Sequence, residues 1–401
     1  MSKMTKEHNY PLSTVHSHLP MGWEIKKLGE VCELSAGGDV PKDNFSETQT
    51  EKYSIPIYAN GEKNEGLYGY TNIAKVSKPS ITVSARGTIG FSVKRLEAFF
   101  PVVRLIVVTP KNQKELELDF LDYSLKRIDF KHSGSSIPQL TVPMIRDYEI
   151  PLPPLPEQQR IVSILDEAFA AIAKAKANAE QNLKNAKQLF ESYLQGVFEK
   201  KGDGWEEKTI GEIGNPKMCK RIFKEQTTTV GDIPFYKIGT FGKEPDAYIS
   251  KDIYDEFRAK YSFPKKGDVL ISASGTIGRR VRYDGEPAYF QDSNIVWIEN
   301  DEKQVSNDFL FEFYGACNWG STKGATISRL YNDNLKSIII SFPESHKDQQ
   351  TIVRQLDALR AETQKLEAVY QKKIDDLEEL KKSILQKAFA GELKTEKAVA
   401  V

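Results

Sequence analysis

The sequence predicts two tandem mixed α/β (α+β) globules, each followed by a long helix, with the two helices paired as an antiparallel coiled coil. Three observations carry this. The 401-residue chain is internally duplicated, each repeat ends in a run of roughly 40 residues almost free of Gly and Pro, and the two runs share one apolar register.

The duplication is read from four matches in the same order. GWEIKKLGEV at Gly22 returns as GWEEKTIGEI at Gly204, 182 residues later, and SARGTIG at Ser84–Gly90 returns as SASGTIG at Ser272–Gly278, an offset of 188. GSSIPQL at Gly134–Leu140 aligns with GATISRL at Gly324–Leu330 (offset 190), and QQRIVSILD at Gln158–Asp166 with QQTIVRQLD at Gln349–Asp357 (offset 191). The drift places the length variation early in each unit. The expected order is a leader (1–19), a globule (20–156), a helix (157–201), a second globule (202–346), a second helix (347–391) and a tail (392–401).

The leader, MSKMTKEHNYPLSTVHSHLP, has no apolar stretch and is not expected to be a secretory signal. No run approaches the roughly 18 apolar residues that span a bilayer, and a cytoplasmic location is expected. Three scattered cysteines, Cys32, Cys219 and Cys317, fit reduced thiols and give no zinc spacing.

Within the globules, Ser80–Ser84, Val102–Val108, Val269–Ser272 and Ile295–Ile298 read as strands between turns, and Leu116–Ile128 and Asn307–Tyr314 as short helices. The first long helix carries Ile161, Leu165, Ala168, Ile172, Ala175, Ala179, Ala186, Leu189 and Tyr193 at alternating spacings of 4 and 3. The second carries Ile352, Leu356, Leu359, Leu366, Tyr370, Leu377, Leu380 and Ile384 in the same register. At one equivalent seam position both are polar, Asn182 and Lys373. Either this pair fixes the register, or the seam shifts there onto Leu183 and Ile374.

A helix of about 43 residues is roughly 64 Å long, and only Lys201–Asp203 separate its end from the second globule. The second globule is therefore expected at the far end, with the second helix running back along the first. The result is a pseudo-two-fold, near-circular architecture whose C-terminus returns near Gly22.

The charge is balanced, 56 Lys+Arg against 56 Asp+Glu. The balance hides an asymmetry. Residues 75–146 hold twelve basic against six acidic residues, and residues 217–289 hold fourteen against ten. Basic globules at a fixed separation suit duplex DNA with two half-sites. No G-x-x-x-x-G-K-[ST] loop, no G-x-G-x-x-G opening a helix and no Asn/Asp-Pro-Pro-aromatic tetrapeptide is present, and none of the five histidines stands at ligand spacing. A non-catalytic chain without a metal site is expected.

The paired GWE-x₃-[LI]-GE-[VI] openings, the SA-x-GTIG elements, PLPPLPEQQRIVSILD and the second QQTIVRQLD resemble the specificity (S) subunit of Type I restriction–modification systems. The resemblance covers the chain beyond about residue 20 and departs at FPESHKDQQ, where the Pro-rich helix start is replaced. It implies two target-recognition domains that each read half of a bipartite double-stranded DNA sequence. It also implies helices that set the gap, two methyltransferase (M) subunits docked on them, and restriction/translocase (R) subunits. S-adenosylmethionine, ATP and Mg are then expected on those partners and no cofactor on this chain. The alternative is a coiled-coil scaffold whose globules bind proteins.

The resemblance does not supply the contact residues, which are read from chemistry. In the SA-x-GTIG elements, Arg86 and Thr88 lie within the turn of the first copy and Arg279, Arg280 and Arg282 just after that of the second, with Lys94 and Arg95 following the first. Arginine reads guanine or clamps phosphate; otherwise these are surface pairs on a fold-defining turn. Lys131, Ser133, Ser135 and Ser136 belong to one polar loop and Lys323 and Arg329 to its counterpart, both suited to phosphate. His132 is a loop residue or a contact, not a metal ligand. Lys220, Arg221 and Lys224 form a basic cluster matched loosely by Lys42 and Asn44, and Tyr58, Asn60, Tyr236 and Lys237 follow parallel Ile-Pro segments as groove readers or core.

Overall fold

In the computed structural model, which describes residues 19–131, 138–319, 330 and 332–393, both repeats fold on one plan. The first globule runs β1 (Glu24–Lys27), α1 (Leu28–Val31), β2 (Cys32–Ala36), β3 (Ile55–Tyr58), β4 (Leu67–Thr71), β5 (Ser80–Val83), β6 (Ser92–Arg95), β7 (Phe100–Pro101) and β8 (Ile106–Pro110). It closes with α2 (Leu118–Arg127), α3 (Val142–Arg146) and β9 (Glu149–Leu152). β1 pairs antiparallel with β9, Glu24 opposite Leu152, so the start of the globule is tied to its end.

The core sheet has the order β2-β8-β5-β6, all antiparallel. Its inner strands, IVVTP and SITV, are buried at every residue, and α2 and the long helices cover one face. A second sheet has the order β4-β3-β7, with β3 and β7 parallel.

α4 (Leu155–Glu199) follows, and the plan repeats. β10 (Trp205–Thr209), α5 (Ile210–Ile213), β11 (Gly214–Lys217), β12 (Ile233–Tyr236), β13 (Tyr248–Ile249), α6 (Lys251–Lys260), β14 (Val269–Ser272), β15 (Arg280–Arg282), β16 (Tyr289–Phe290) and β17 (Ile295–Asn300) lead to α7 (Asn307–Ala316), α8 (Asn332–Lys336), β18 (Ile339–Pro343) and α9 (His346–Phe389). The sheets are β10-β18, β11-β17-β14-β15 and β13-β12-β16, strand for strand those of the first globule. α6 has no counterpart there. The repeat offset rises from 178 at Ile55/Ile233 to 188 at Ser84/Ser272, and α6 supplies the ten residues.

Two expectations change in the globules and the helix starts. The strand expected over Val102–Val108 begins only at Ile106, because Val103 and Arg104 sit in the left-handed region (φ 52° and 62°) and turn the chain. The long helices start at Leu155 and His346 rather than at 157 and 347. Pro156 is accommodated in the first turn, where its missing N–H leaves no intrahelical bond unmade.

The chain divides into two compact units. One gathers the first globule, α4 up to Asn178 and α9 from Lys373; the other spans Ala179–Lys372. Each globule therefore packs on the first half of its own helix and the last half of the other repeat's. In unit one, Ile161 and Leu165 of α4 and Ala388 and Phe389 of α9 join Leu28, Val83, Ile106 and Phe120 in one core. The segment after α9 packs back on this unit: Arg160 donates to the Leu393 carbonyl (3.3 Å), and a Cβ on Gly391 would lie 2.2 Å from Pro20 Cγ. In unit two, Phe198 of α4 and Val353 of α9 join Phe309, Phe313, Ile271 and Phe342.

Within each unit the helix segments run antiparallel. Phe169 lies under Lys381 and Lys176 pairs with Glu378 (2.6 Å) in unit one, and Phe190 lies under Arg360 in unit two. Under the 191-residue offset Phe169 corresponds to Arg360 and Phe190 to Lys381, so the cation–aromatic pair recurs with its partners exchanged.

The seam is a correction in part. Ile161, Leu165, Ile172 and Leu356 are buried and Leu377 and Ile384 half-buried, but Leu189 is 51% and Leu366 42% exposed. Asn182 and Lys373 are exposed while Leu183 and Ile374 are half-buried, which is the shifted seam. A 3.6-residue helix drifts about 20° per heptad against a strict repeat. Over the second half of α4 the contact line therefore passes to Phe190 and Leu194, and on α9 to Thr363, while Ala186 and Tyr370 of the expected seam keep their places.

Candidate nucleic-acid interface

The antiparallel order of the core sheet brings the end of β2, the end of β5, the start of β6 and the start of β8 to one edge of the first globule. The loops leaving that edge are cross-braced. Asn60 is the central brace: its carboxamide oxygen accepts from Ala85 N (2.7 Å) and its NH₂ donates to Val103 O (2.6 Å). Gly61 N donates to Ser84 Oγ (3.2 Å), and Leu140 N to Ala85 O (2.9 Å).

The GTIG segment is the hairpin joining β5 to β6. Gly90 N donates to Ser84 O (3.0 Å), and Gly87 and Gly90 take φ of 71° and 90°, which only glycine adopts readily. The second globule repeats the geometry at Gly275 and Gly278 (64° and 83°), with Gly278 N donating to Ser272 O (3.0 Å). An aromatic ring underlies the second glycine in each, Phe130 and Trp319, equivalent under a 189-residue offset.

The same edge of the second globule is braced by Asn294, whose carbonyl accepts from Ala273 N (2.8 Å) and whose side chain meets Ser274 Oγ (2.8 Å). Leu330 N donates to Ala273 O (2.8 Å) and Gln291 N to Tyr236 O (2.9 Å). Both globules thus hold corresponding loops at one sheet edge on shared backbone geometry, with different side chains.

The predicted contacts divide. Thr88 is exposed at the hairpin tip, beside a cleft of about 560 Å³ also lined by Lys126, Phe130 and Pro138. Arg86 is half-buried and donates to Gln139 (2.8 Å). Lys131 and Lys42 are exposed, with no ion pair among the described residues. In the second globule Arg279 donates to Phe241 O (3.0 Å), Arg221 to Asp292 (2.9 Å) and Lys237 pairs with Asp246 (2.8 Å), while Lys220 lies over Tyr261 and Lys224 is exposed. Ser133, Ser135, Ser136, Lys323 and Arg329, with His132, lie outside the described residues.

Four of the expected contacts have partners within the fold. Lys94 pairs with Asp119 and Arg282 with Asp308 (3.0 Å), equivalent bridges from the hairpin's second strand to the following helix. Arg95 is 6% exposed, lies 3.5 Å over the Tyr58 ring and donates to Thr82 Oγ1 (3.2 Å) and Glu65 (3.4 Å). Arg280 lies over Phe311 and shares the fully buried Glu312 with Arg282 and Arg360 (3.9 Å from Arg280, 3.5 Å from Arg282). Burial lowers the pKa of both Arg95 and Arg280. The tyrosines are packing residues as well: Tyr236 stacks on Phe290 (17°) and Tyr58 lies edge-on to Phe99.

A basic group missed from the sequence stands at this edge. Lys75 and Arg104 flank Gly37–Gly38, Lys75 Nζ 3.5 Å from where a Gly38 Cβ would stand and Arg104 N donating to Gly37 O (3.1 Å). Among the described residues neither side chain has an ion-pair partner.

Two α/β domains presenting the same braced loops with different side chains define a tandem recognition protein. The sequence profile of the Type I restriction modification DNA specificity domain matches residues 20–184 and 202–378. A type I restriction enzyme specificity subunit of Haemophilus influenzae is 46% identical over 347 residues, covering 83% of this chain and 86% of that protein. The chain belongs to the family of Type I restriction–modification DNA specificity subunits, non-catalytic components that recognise the DNA target. Two solved structures share the fold at 20% identity. A chain from a study of complex assembly and conformational transition of the type I R-M system superposes with a TM-score of 0.75, covering 94% of this chain and all of that one. The HsdS subunit of Thermoanaerobacter tengcongensis gives 0.58, covering 95% and all of its own length.

Proposed function

We propose that this chain reads a bipartite duplex, one half-site per domain, and that α4 and α9 set the gap between the halves. The observation that carries this is the duplicated sheet edge: equal loop frameworks with unequal side chains suit two different short sequences read by one mechanism. The gap-setting role rests on the unbroken helices of 45 and 44 residues, about 67 Å of continuous rod for α4. The chain brings this reading to two methyltransferase subunits and to restriction subunits in the cytoplasm. S-adenosylmethionine, ATP and Mg are held by those partners and none by this chain. No helix among the described residues is long and apolar enough to cross a membrane.

The test expresses the chain with its methyltransferase partner in a host free of other DNA modification and maps modified bases across the genome. A two-part motif with a constant gap is expected, and loss of modification without the chain. Binding to that duplex should weaken steeply with salt, log K falling by about 0.9 per phosphate contact in log salt. Absence of a chain-dependent motif, or a flat salt response, overturns the reading in favour of a protein scaffold.

A further inference from the structure

The left-handed turn that interrupts the expected Val102–Val108 strand is a feature of both domains. Val103 and Arg104 (φ 52° and 62°) lie between β7 and β8, and Ser293 (φ 60°) lies between β16 and β17 at the equivalent place. A β-branched residue with positive φ is a genuine conformational outlier, and such outliers persist only where surrounding bonds over-determine them. Here they do. Val103 N donates to Gly38 O (2.8 Å), Arg104 N to Gly37 O (3.1 Å), and Asn60 ties Val103 O to the GTIG hairpin. Gly37 cannot carry a side chain, since a Cβ would stand 2.7 Å from Pro101 C and Val102 N.

What the turn displays is a guanidinium. Arg104 is exposed, without an ion pair among the described residues, and Val103 beside it is 45% exposed. In the second domain the equivalent turn carries Asp292, which accepts from Arg221 Nε (2.9 Å), and Arg221 comes from the loop after β11 and is 60% exposed. The loop after β2 is its counterpart and carries Gly37–Gly38. Different chain segments thus deliver one exposed guanidinium to the same backbone turn, Arg104 from the turn itself and Arg221 from the loop it anchors.

We propose that Arg104 and Arg221 are the paired guanine readers of the two half-sites, each held in place by this turn. The proposal rests on the bipartite reading above and assigns within it one base-pair position per domain. A guanidinium fork matches guanine O6 and N7 in the major groove, a match that an ammonium group does not reproduce.

The experiment uses the full chain with its methyltransferase partner and the genome-wide map of modified bases. Asn tolerates the left-handed region, so R104N keeps the turn. R104N is expected to relax one base pair of the first half-site, the preference for guanine there falling roughly 10- to 100-fold, leaving the second half-site and the gap unchanged. R221N should do the reverse. R104K keeps the charge and is expected to relax the same position; if R104N fails to fold and modifies nothing, R104K carries the test. An unchanged motif in both substitutions, or uniform weakening at all sites with a shallower salt slope, overturns the proposal by making Arg104 a bystander or a phosphate contact. Failure of the bipartite reading is distinguishable, because the wild-type chain would then yield no two-part motif.

Discussion

The side-chain amide of Gln158 donates 2.9 Å to the carbonyl of Pro153, locking the first turn of α4 to the strand end before it. The same amide donates to Glu115 O (2.7 Å) and its oxygen accepts from Glu117 N (2.9 Å), and the side chain is fully buried. Gln349 repeats all three bonds, to Pro343 O (2.9 Å), to Gln304 O (2.7 Å) and from Ser306 N (2.9 Å). This is what the glutamine after each helix start does: it welds a long helix to its globule. Q158L leaves one buried and two part-buried backbone groups without partners and should cost about 3 kcal/mol, read by urea unfolding of the full chain. Q349L should match it in unit two; a loss below about 0.5 kcal/mol in either would contradict the clamp.

Glu312 should behave as the opposite kind of buried polar group. It is fully buried among Arg280, Arg282 and Arg360. E312A leaves three guanidiniums without their shared carboxylate and should cost about 3–5 kcal/mol. R360A leaves Arg280 and Arg282 in place and should cost less. Three of the four tryptophans (Trp205, Trp297, Trp319) lie in unit two, so intrinsic fluorescence during denaturation follows the affected unit.

The two hairpin glycines separate strain from collision. A Cβ on Gly87 meets open space, so G87A carries only the left-handed penalty, about 1–2 kcal/mol. A Cβ on Gly278 would stand 2.0 Å from Trp319 Nε1, so G278A must also displace the indole. G278A is expected to lower the melting temperature more than G87A and to shift tryptophan emission; equal effects would show that the ring moves freely.

Inserting or deleting a heptad within Ala173–Glu191 should change the number of base pairs between the half-sites and leave both half-sites as they were. Mapping modified bases decides it. Altered half-sites with an unaltered gap would remove the helices from the spacing role.

Burial pushes the thiols of Cys32 and Cys219 up to about 12. At pH 8 roughly one in ten thousand is then thiolate, and a disulfide reagent should find both inert until the chain unfolds. Since the folded values lie above the unfolded one of about 8.5, the two groups contribute stability that is present below that pH and is lost as the pH climbs toward 12. Rapid labelling of Cys32 or Cys219 in the native chain would contradict their placement.

Duplication, mixed globules and the antiparallel helices were legible because each rests on local pattern: repeated words, β-rich segments between turns, Gly-free apolar periodicity. The seam was legible at Ile161, Leu165, Ile172, Ala186 and Leu356 but not at Leu189 and Leu366, where the contact falls on neighbours such as Phe190 and Thr363. The interface was less legible, for a different reason. Whether a basic residue is free or satisfied depends on partners far along the chain, Asp119 for Lys94 and Asp308 for Arg282. Arg104 was missed because its turn contains no glycine, so residue type alone announced a strand.

Phe389, near the end of the chain, packs against Phe120 at 5.0 Å between ring centroids, and both are fully buried. A ribosome that has just completed α2 must add 262 further residues before this partner exists, roughly 13–52 s at ordinary elongation speeds. Throughout that interval the first globule exposes the apolar face that α9 will cover, whereas the segments that complete the second are all made by Lys372. The domain translated first is thus the last to have its core complete.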